Sequence, residues 1–336
     1  MPLITAADLG IPAFRPRFPW WGGDLQTLRN TFRYTEPDLS PYPAIRLSFD
    51  LADGTGDRML ALYNRPATSN ANPAVVLIHG LTGSENSRNI KRSASFYLSR
   101  GYPVIRLNLR GAGPSADTCR QHYHAGRSDD LGMVIDLLPR EVKDHGLFLV
   151  GTSLGGNILL KFLAESGPRS EVIAAAAVSP PIDLKAAQLQ IMAPRNALYH
   201  RHLLRHMKSG LAVKTPDHVL ARIGTVYDFD DLVVAPANGF SSAEDYYARC
   251  SSASLLHRIH SSTLVIQPVD DPWIPIGPIK RASAGIAALH FLFPGSGGHI
   301  GFHDAGDHWP WHNRAILAFF EGRKVRRVAV VQHPSE

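Results

Sequence analysis

Three residue clusters in this chain can share one piece of chemistry. Ser153 lies in Gly151-Thr152-Ser153-Leu154-Gly155, an acidic pair lies in Asp270-Asp271-Pro272, and His299 follows Gly295-Ser296-Gly297-Gly298. A serine hydroxyl is a weak nucleophile until a base takes its proton, and that base must itself be held by a third group. The chain offers nucleophile, acid and base in the order Ser153, Asp271 (or Asp270), His299, a set suited to acyl transfer through a covalent acyl-enzyme. A turn of the form Asp-x-x-apolar-Pro fits Asp271-Pro272-Trp273-Ile274-Pro275 and favours Asp271 as the acid. Asp270 is the alternative, and its competing role is to cap the same loop. The backbone N–H groups of Leu81, in His79-Gly80-Leu81-Thr82-Gly83, and of Leu154 are the candidate oxyanion donors. His79 is read as shaping that loop, because it follows the wrong strand to serve as the base.

These residues need a scaffold that brings them to one edge. Leu147-Phe148-Leu149-Val150 reads as a buried strand leading into the serine turn, and Asn157 to Ala164 reads as the helix that follows. Further strands are predicted at Val75–Ile78, Pro103–Leu107, Val172–Val178, Thr263–Ile266 and Ala288–Phe293. Ala44–Leu51 and Met59–Tyr63 are expected to form an antiparallel hairpin. Helices are expected over Asn89–Arg100, after a Ser128-Asp129-Asp130 cap, near 277–285 and near 308–321. Strands alternating with helices at this spacing predict an α/β fold with a mostly parallel, doubly wound sheet. The rhythm breaks at Pro180-Pro181. About 80 residues then pass before the next strand, too many for a simple crossover. They read as a helical cap insertion with a long connection around Tyr227–Phe240. The expected organisation is an N-terminal wrapping segment over 1–43 with Trp20 and Trp21 buried as anchors. A core over 44–179 and 263–322, a cap over 180–262 and a peripheral tail over 323–336 complete it.

Bulk composition narrows the class. The 336 residues are 44% hydrophobic and 19% charged, as in an ordinary globular protein, with a net charge of +6. The basic residues carry no nucleic-acid module, so no nucleic-acid partner is expected. The run Arg195–Lys208 is basic and partly amphipathic. A solvated helix face accounts for it, and weak peripheral contact of the cap with an anionic lipid surface is the competing account. His122/His124 and His308/His312 have ligand-like spacing without a carboxylate cluster, so no metal and no cofactor is expected, and surface or loop histidines account for them. Two cysteines and an N-terminus without a secretory pattern lead to the expectation of a cytoplasmic protein. Nothing in the composition speaks to oligomeric state.

The motifs together resemble the YheT-like branch of the α/β-hydrolases. The likeness rests on Pro19-Trp20 with Leu25-Gln26-Thr27-Leu28, on His79-Gly80-Leu81-Thr82-Gly83-Ser84, and on Asn108-Leu109-Arg110-Gly111. It continues through Gly151–Asn157, Asp228-Phe229-Asp230-Asp231, Gly239-Phe240 with Asp245-Tyr246-Tyr247, Asp270-Asp271-Pro272 and Gly297–Phe302. The resemblance implies an α/β-hydrolase fold and a Ser153-Asp271-His299 triad. It also implies a serine esterase or acyltransferase acting on medium- to long-chain acyl esters. Three functions stand at this point: an ester hydrolase, an alcohol O-acyltransferase using the same acyl-enzyme, and a non-catalytic binding protein.

Overall fold

Short stretches rich in aliphatic residues become the strands β1 (Ala44–Asp50), β2 (Arg58–Asn64), β3 (Ala74–Ile78) and β4 (Val104–Leu107). They continue as β5 (Leu147–Thr152), β6 (Val172–Val178), β7 (Thr263–Ile266) and β8 (Leu289–Leu292). The structure is a computed structural model, and it describes residues 3–68, 71–211, 215–283 and 285–332. Among these the strands form one sheet in the order β1-β2-β4-β3-β5-β6-β7-β8. The β1–β2 and β2–β4 pairs are antiparallel, and every other pair is parallel.

The longer helices are α1 (Gly23–Phe32), α2 (Arg88–Leu98), α3 (Ser128–Leu137), α4 (Leu154–Glu165) and α5 (Leu184–Met192). After them come α6 (Ala197–Leu211), α7 (Ala243–Cys250), α8 (Ile276–Ala282) and α9 (Trp311–Gln332). Both faces of the parallel strands are buried, which is why these strands read as continuous apolar runs. Val76, Ile78, Leu147 and Leu149 point to the face covered by α3 and α4. Val75, Leu77, Phe148 and Val150 point to the face covered by α2 and α9, where Phe148 stacks on Phe320 at 4.2 Å between ring centroids. Between β6 and β7 the described residues form helices and turns. Leu203, Leu204, Met207, Val226 and Phe229 make a small apolar core of their own there.

Four local expectations change. Residues 1–43 do more than wrap: they contain α1, and Trp21 is exposed while Trp20 is half-buried. Most of Tyr227–Phe240 is helical rather than a long connection: helix runs over Val226–Ala237, with a π-helical stretch at Asp230–Val234. Ser128 is the first residue inside α3 rather than its cap, and its hydroxyl donates to Glu165 at 2.6 Å. The last helix runs past 321 to Gln332, with Arg323 still packed over the Phe319 ring. No described helix is long and apolar enough to cross a membrane.

One buried cation ties the loops behind the site. The Arg110 side chain is 0% exposed. It donates to Asp130 at 2.6 and 2.9 Å, to Asp57 at 2.9 Å and to Asp53 at 2.6 Å. The planar fork of five donors matches this arrangement in a way an ammonium cannot. It pins the β1–β2 turn and the start of α3 to the 108–113 loop. Removing a charge from a buried network costs about 3–5 kcal/mol because the partners stay buried and unpaired. Arg110→Met is therefore expected to lose about that much stability in urea denaturation, with Arg110→Lys recovering only part of it.

Candidate active site

Ser153 sits between β5 and α4 with φ 50° and ψ −124°, a region that L-residues rarely occupy. Its backbone is held on both sides: the N–H donates to Val178 O at 2.9 Å, and the carbonyl accepts from Gly156 N at 2.8 Å. The flanking glycines are required by contact. A Cβ at Gly151 would overlap the backbone of Gly155, and one at Gly155 would overlap the carbonyl oxygens of Ile78 and His79. The turn thus presses against the end of β3, and that closeness lifts the serine hydroxyl above the sheet.

His299 Nε2 lies 3.0 Å from Ser153 Oγ, and His299 Nδ1 lies 3.0 Å from Asp271 Oδ2. Asp271 is positioned by its own turn, since its Oδ1 accepts from the N–H groups of Trp273 at 2.8 Å and Ile274 at 3.0 Å. Gln267 donates to Asp271 Oδ2 at 3.3 Å. Asp270 points elsewhere: it accepts from Gly298 N at 2.9 Å and from Ser296 Oγ at 2.7 Å, and so holds the loop that carries His299. The structure brings Asp271 to the histidine and gives Asp270 the capping role.

The two oxyanion candidates flank the serine. Leu154 opens α4, where the first N–H groups have no partner within the helix. The loop holding Leu81 packs directly on Ser153, since a Cβ at Gly80 would stand 3.0 Å from Ser153 Cβ. Its neighbour Thr82 already donates its N–H to the Tyr123 hydroxyl at 2.6 Å. His79 is buried behind this loop. Its Nε2 accepts from Leu109 N at 3.1 Å, so Nδ1 carries the proton and donates to Gly80 O at 2.8 Å. Both nitrogens are used in shaping the loop.

Several positioning residues were not legible as such in the sequence. Thr27 on α1 accepts from His299 N at 2.8 Å, and buried Gln26 accepts from His303 N at 2.7 Å and donates to Trp20 O at 2.6 Å. The Trp273 ring stacks on His299 at 4.5 Å and 24°. Asn196 donates to Pro272 O at 2.7 Å, which joins the acid turn to the helical segment above. The Leu25-Gln26-Thr27-Leu28 cluster stood out in the sequence, but spacing alone assigned it no task.

Two cavities meet at Ser153. One of about 600 Å³ is bounded by α1 and α6 through Thr27, Leu28, Leu198 and Tyr199. The other, about 100 Å³, is walled mainly by Leu154, Leu184, Ile191, Met207 and Val226. Asp230 also lines the smaller cavity. Burial pushes its carboxyl up to about 7 against the opposing hydrogen bond from Tyr247, 2.6 Å away. Among the described residues no group of three or more His, Cys, Asp or Glu could hold a metal ion. His308 is exposed, but His312 is buried in the core rather than on the surface.

The family model of the alpha/beta hydrolase fold matches residues 73–203. YheT of Escherichia coli (strain K12), whose name marks it as an assumed esterase, is 31% identical over 252 residues, 72% of this chain and 74% of that protein. A Saccharomyces cerevisiae protein named medium-chain fatty acid ethyl ester synthase/esterase 2 is 28% identical, over 74% of this chain and 62% of its own length. A monoacylglycerol lipase of the same yeast is 25% identical, over 76% and 60%. The chain thus spans about three fifths of the two yeast proteins. The Pyrococcus furiosus esterase Pf2001 has the same fold, with a TM-score of 0.57 at 14% identity over 93% of this chain and 99% of that one.

Burial also sets a pH limit on this scaffold. Desolvation lowers the histidine pKa at His79 to about 4, at His124 and His312 to about 3, and at His303 to about 2, where Arg29 and Arg92 add to it. Unfolded histidine binds a proton near pH 6.5, so between about pH 6.5 and 4 the unfolded chain holds more protons than the native one. Stability must therefore fall as pH drops through that window. Urea midpoints are expected to be level above pH 7 and to decline steeply from pH 6.5 to 4, with His312→Phe flattening the slope. Equal midpoints at pH 5 and 7.5 would remove this account.

Proposed function

Because the chain belongs to the YheT-like branch of the α/β-hydrolase superfamily, we propose that it is a serine-dependent carboxylic ester hydrolase working through an acyl-enzyme. The observation that carries this reading is the unbroken hydrogen-bonded line from Ser153 through His299 to Asp271, set where two cavities meet. Asp271 accepts from Nδ1–H and leaves the Nε2 lone pair facing the serine hydroxyl. Ser153 Oγ attacks the ester carbonyl as His299 takes its proton. Asp271 holds the imidazolium that results, fixed in turn by the N–H groups of Trp273 and Ile274. Negative charge on the carbonyl oxygen falls between the N–H groups of Leu81 and Leu154, each worth about 10²–10³ in rate. The proton then passes to the leaving alcohol, and water repeats the sequence to free the acid.

The acyl chain and the alcohol of an ester leave its carbonyl carbon in different directions, and the two cavities supply two such directions. Their largely apolar walls support a medium- to long-chain acyl ester, in keeping with the lipid-ester names of the yeast relatives. Burial shifts the Asp230 carboxyl toward its neutral form, which makes the smaller chamber more compatible with hydrocarbon. In this reading the helical segment over 180–262 is a cap that bounds the substrate, since Leu198, Tyr199, Leu184 and Met207 all come from it. One relative's name carries both ester synthesis and hydrolysis, which favours a second reading: an alcohol replaces water in the last step and the chain is an O-acyltransferase. An intact Ser-His-Asp line weighs against a purely binding role.

Wild type is expected to react with a fluorophosphonate probe and Ser153→Ala not to. Asp271→Asn should cut kcat by about 10⁴ at unchanged fold, whereas Asp270→Asn should cost far less. A wild type that stays unlabelled would sink the hydrolase reading. Product analysis of a p-nitrophenyl ester series from short to long chains, with and without ethanol, separates hydrolysis from acyl transfer.

A further inference from the structure

Helix α1 is built inside out. Its inward side is polar: Gln26 and Thr27 hydrogen-bond the backbone around His299 and His303, and Asn30 donates to Asn89 Oδ1 at 3.1 Å. Its outward side is apolar. Leu25, Leu28 and Phe32 follow one another at helical spacing, so they share a face, and Trp21 stands just before the helix. Leu25 is 42% exposed, Phe32 67%, and Trp21 60%, with Phe18, 72% exposed, edge-on to Trp21 at 5.2 Å. A helix normally turns such a stripe toward the core. Here polar contacts fix the orientation and leave the stripe outside, and a contiguous exposed apolar surface of this kind marks an interaction site.

Its position says what for. Leu28 in the stripe lines the larger cavity, and the far side of the same cavity is α6, whose Leu198 is 81% exposed. The two helices are linked across the mouth, since Asp24 accepts from Arg195 at 2.9 Å and from the Tyr199 hydroxyl at 3.1 Å. Beside Leu198 along the outer face of α6 stand Arg201, His202 and Arg205, all exposed. Apolar side chains flanked by cations around a lipid-sized opening match the two layers of an anionic bilayer surface, acyl boundary and headgroup. We propose that this face, α1 with the outer side of α6, docks on an anionic lipid surface and holds the mouth of the larger cavity against it. The substrate then enters from the lipid phase without crossing water. The ester-hydrolase reading supplies the substrate in this scheme, but the docking itself does not depend on it.

The test is co-sedimentation with vesicles of phosphatidylcholine, with and without about one third phosphatidylglycerol. Wild type should bind the mixed vesicles at least about tenfold more tightly than the neutral ones. The triple variant Trp21→Ser/Leu25→Ser/Phe32→Ser should lose at least about tenfold in binding to mixed vesicles, with turnover of a water-soluble short-chain ester unchanged. Arg201→Glu/Arg205→Glu should lose the preference for phosphatidylglycerol. Ser153→Ala should bind like wild type without turnover, and a wild type that binds vesicles but turns over no ester would sink the hydrolase reading and leave the docking surface standing. Wild type that ignores the mixed vesicles, or binds both kinds equally, overturns the proposal, as does a triple variant that binds like wild type. A wild-type dimer in sedimentation velocity that the triple variant dissociates would overturn it too, because a second copy would then cover the stripe.

Discussion

The closeness of two backbones is the constraint on which this structure turns. At the end of β3 the carbonyls of Ile78 and His79 occupy the space a side chain at position 155 would need, and the backbone at Gly155 fills the space beside Gly151. With the turn squeezed from both sides, Ser153 is held at a positive φ that it would otherwise leave, at a cost of about 1–3 kcal/mol. The same squeeze brings the 79–83 loop beside the serine. Nucleophile and oxyanion candidates are therefore consequences of one packing contact rather than two independent inventions.

Around that contact the remaining groups are held by hydrogen bonds drawn from distant parts of the chain. The loop of His299 is gripped by Asp270 from below and by Thr27 from the side. Asp271 is gripped by its own turn, and that turn by Asn196. Buried Asn157 reaches from α4 to Ala125 O at 3.0 Å and Cys250 O at 2.9 Å, and so ties the helix after Ser153 to both neighbouring loops. Such contacts fix side-chain geometry where apolar packing alone would allow rotation.

The sheet and the residues gathered at the candidate site could be read from sequence because both leave local marks. Strands buried on two faces are apolar runs, and a serine turn needs its glycines at i−2 and i+2. Asp271 could be preferred over Asp270 because it opens the Asp-x-x-apolar-Pro turn, and in the structure the N–H groups of that turn donate to Asp271. What escaped was α1, whose inward residues Gln26 and Thr27 are polar and whose outward ones are apolar, the reverse of the pattern that periodicity detects. For the same reason Trp21 was expected inside and lies outside. The helix over 226–237 escaped because its proline and paired aspartates look like loop residues. Their helical geometry comes from packing of Val226 and Phe229 into the small apolar core over the site.

The hydrogen bonds from Gln26 to the His303 backbone join residues 277 apart in sequence. Leu3 likewise bridges to Phe291, and Pro16 to Asp304. These contacts thus cannot form until residues 291–304 have left the ribosome, although Asn30 can meet Asn89 much earlier. While they wait, the apolar stripe of α1 and the sheet edge meant for Leu3 belong to no finished surface. Contacts of such long range are the last to repay their loop-closure entropy. A nascent chain can therefore complete β3 to β6 with its serine turn in place and still lack a positioned base. The candidate base reaches its place late, when residues 3–27 meet the segment over 291–304.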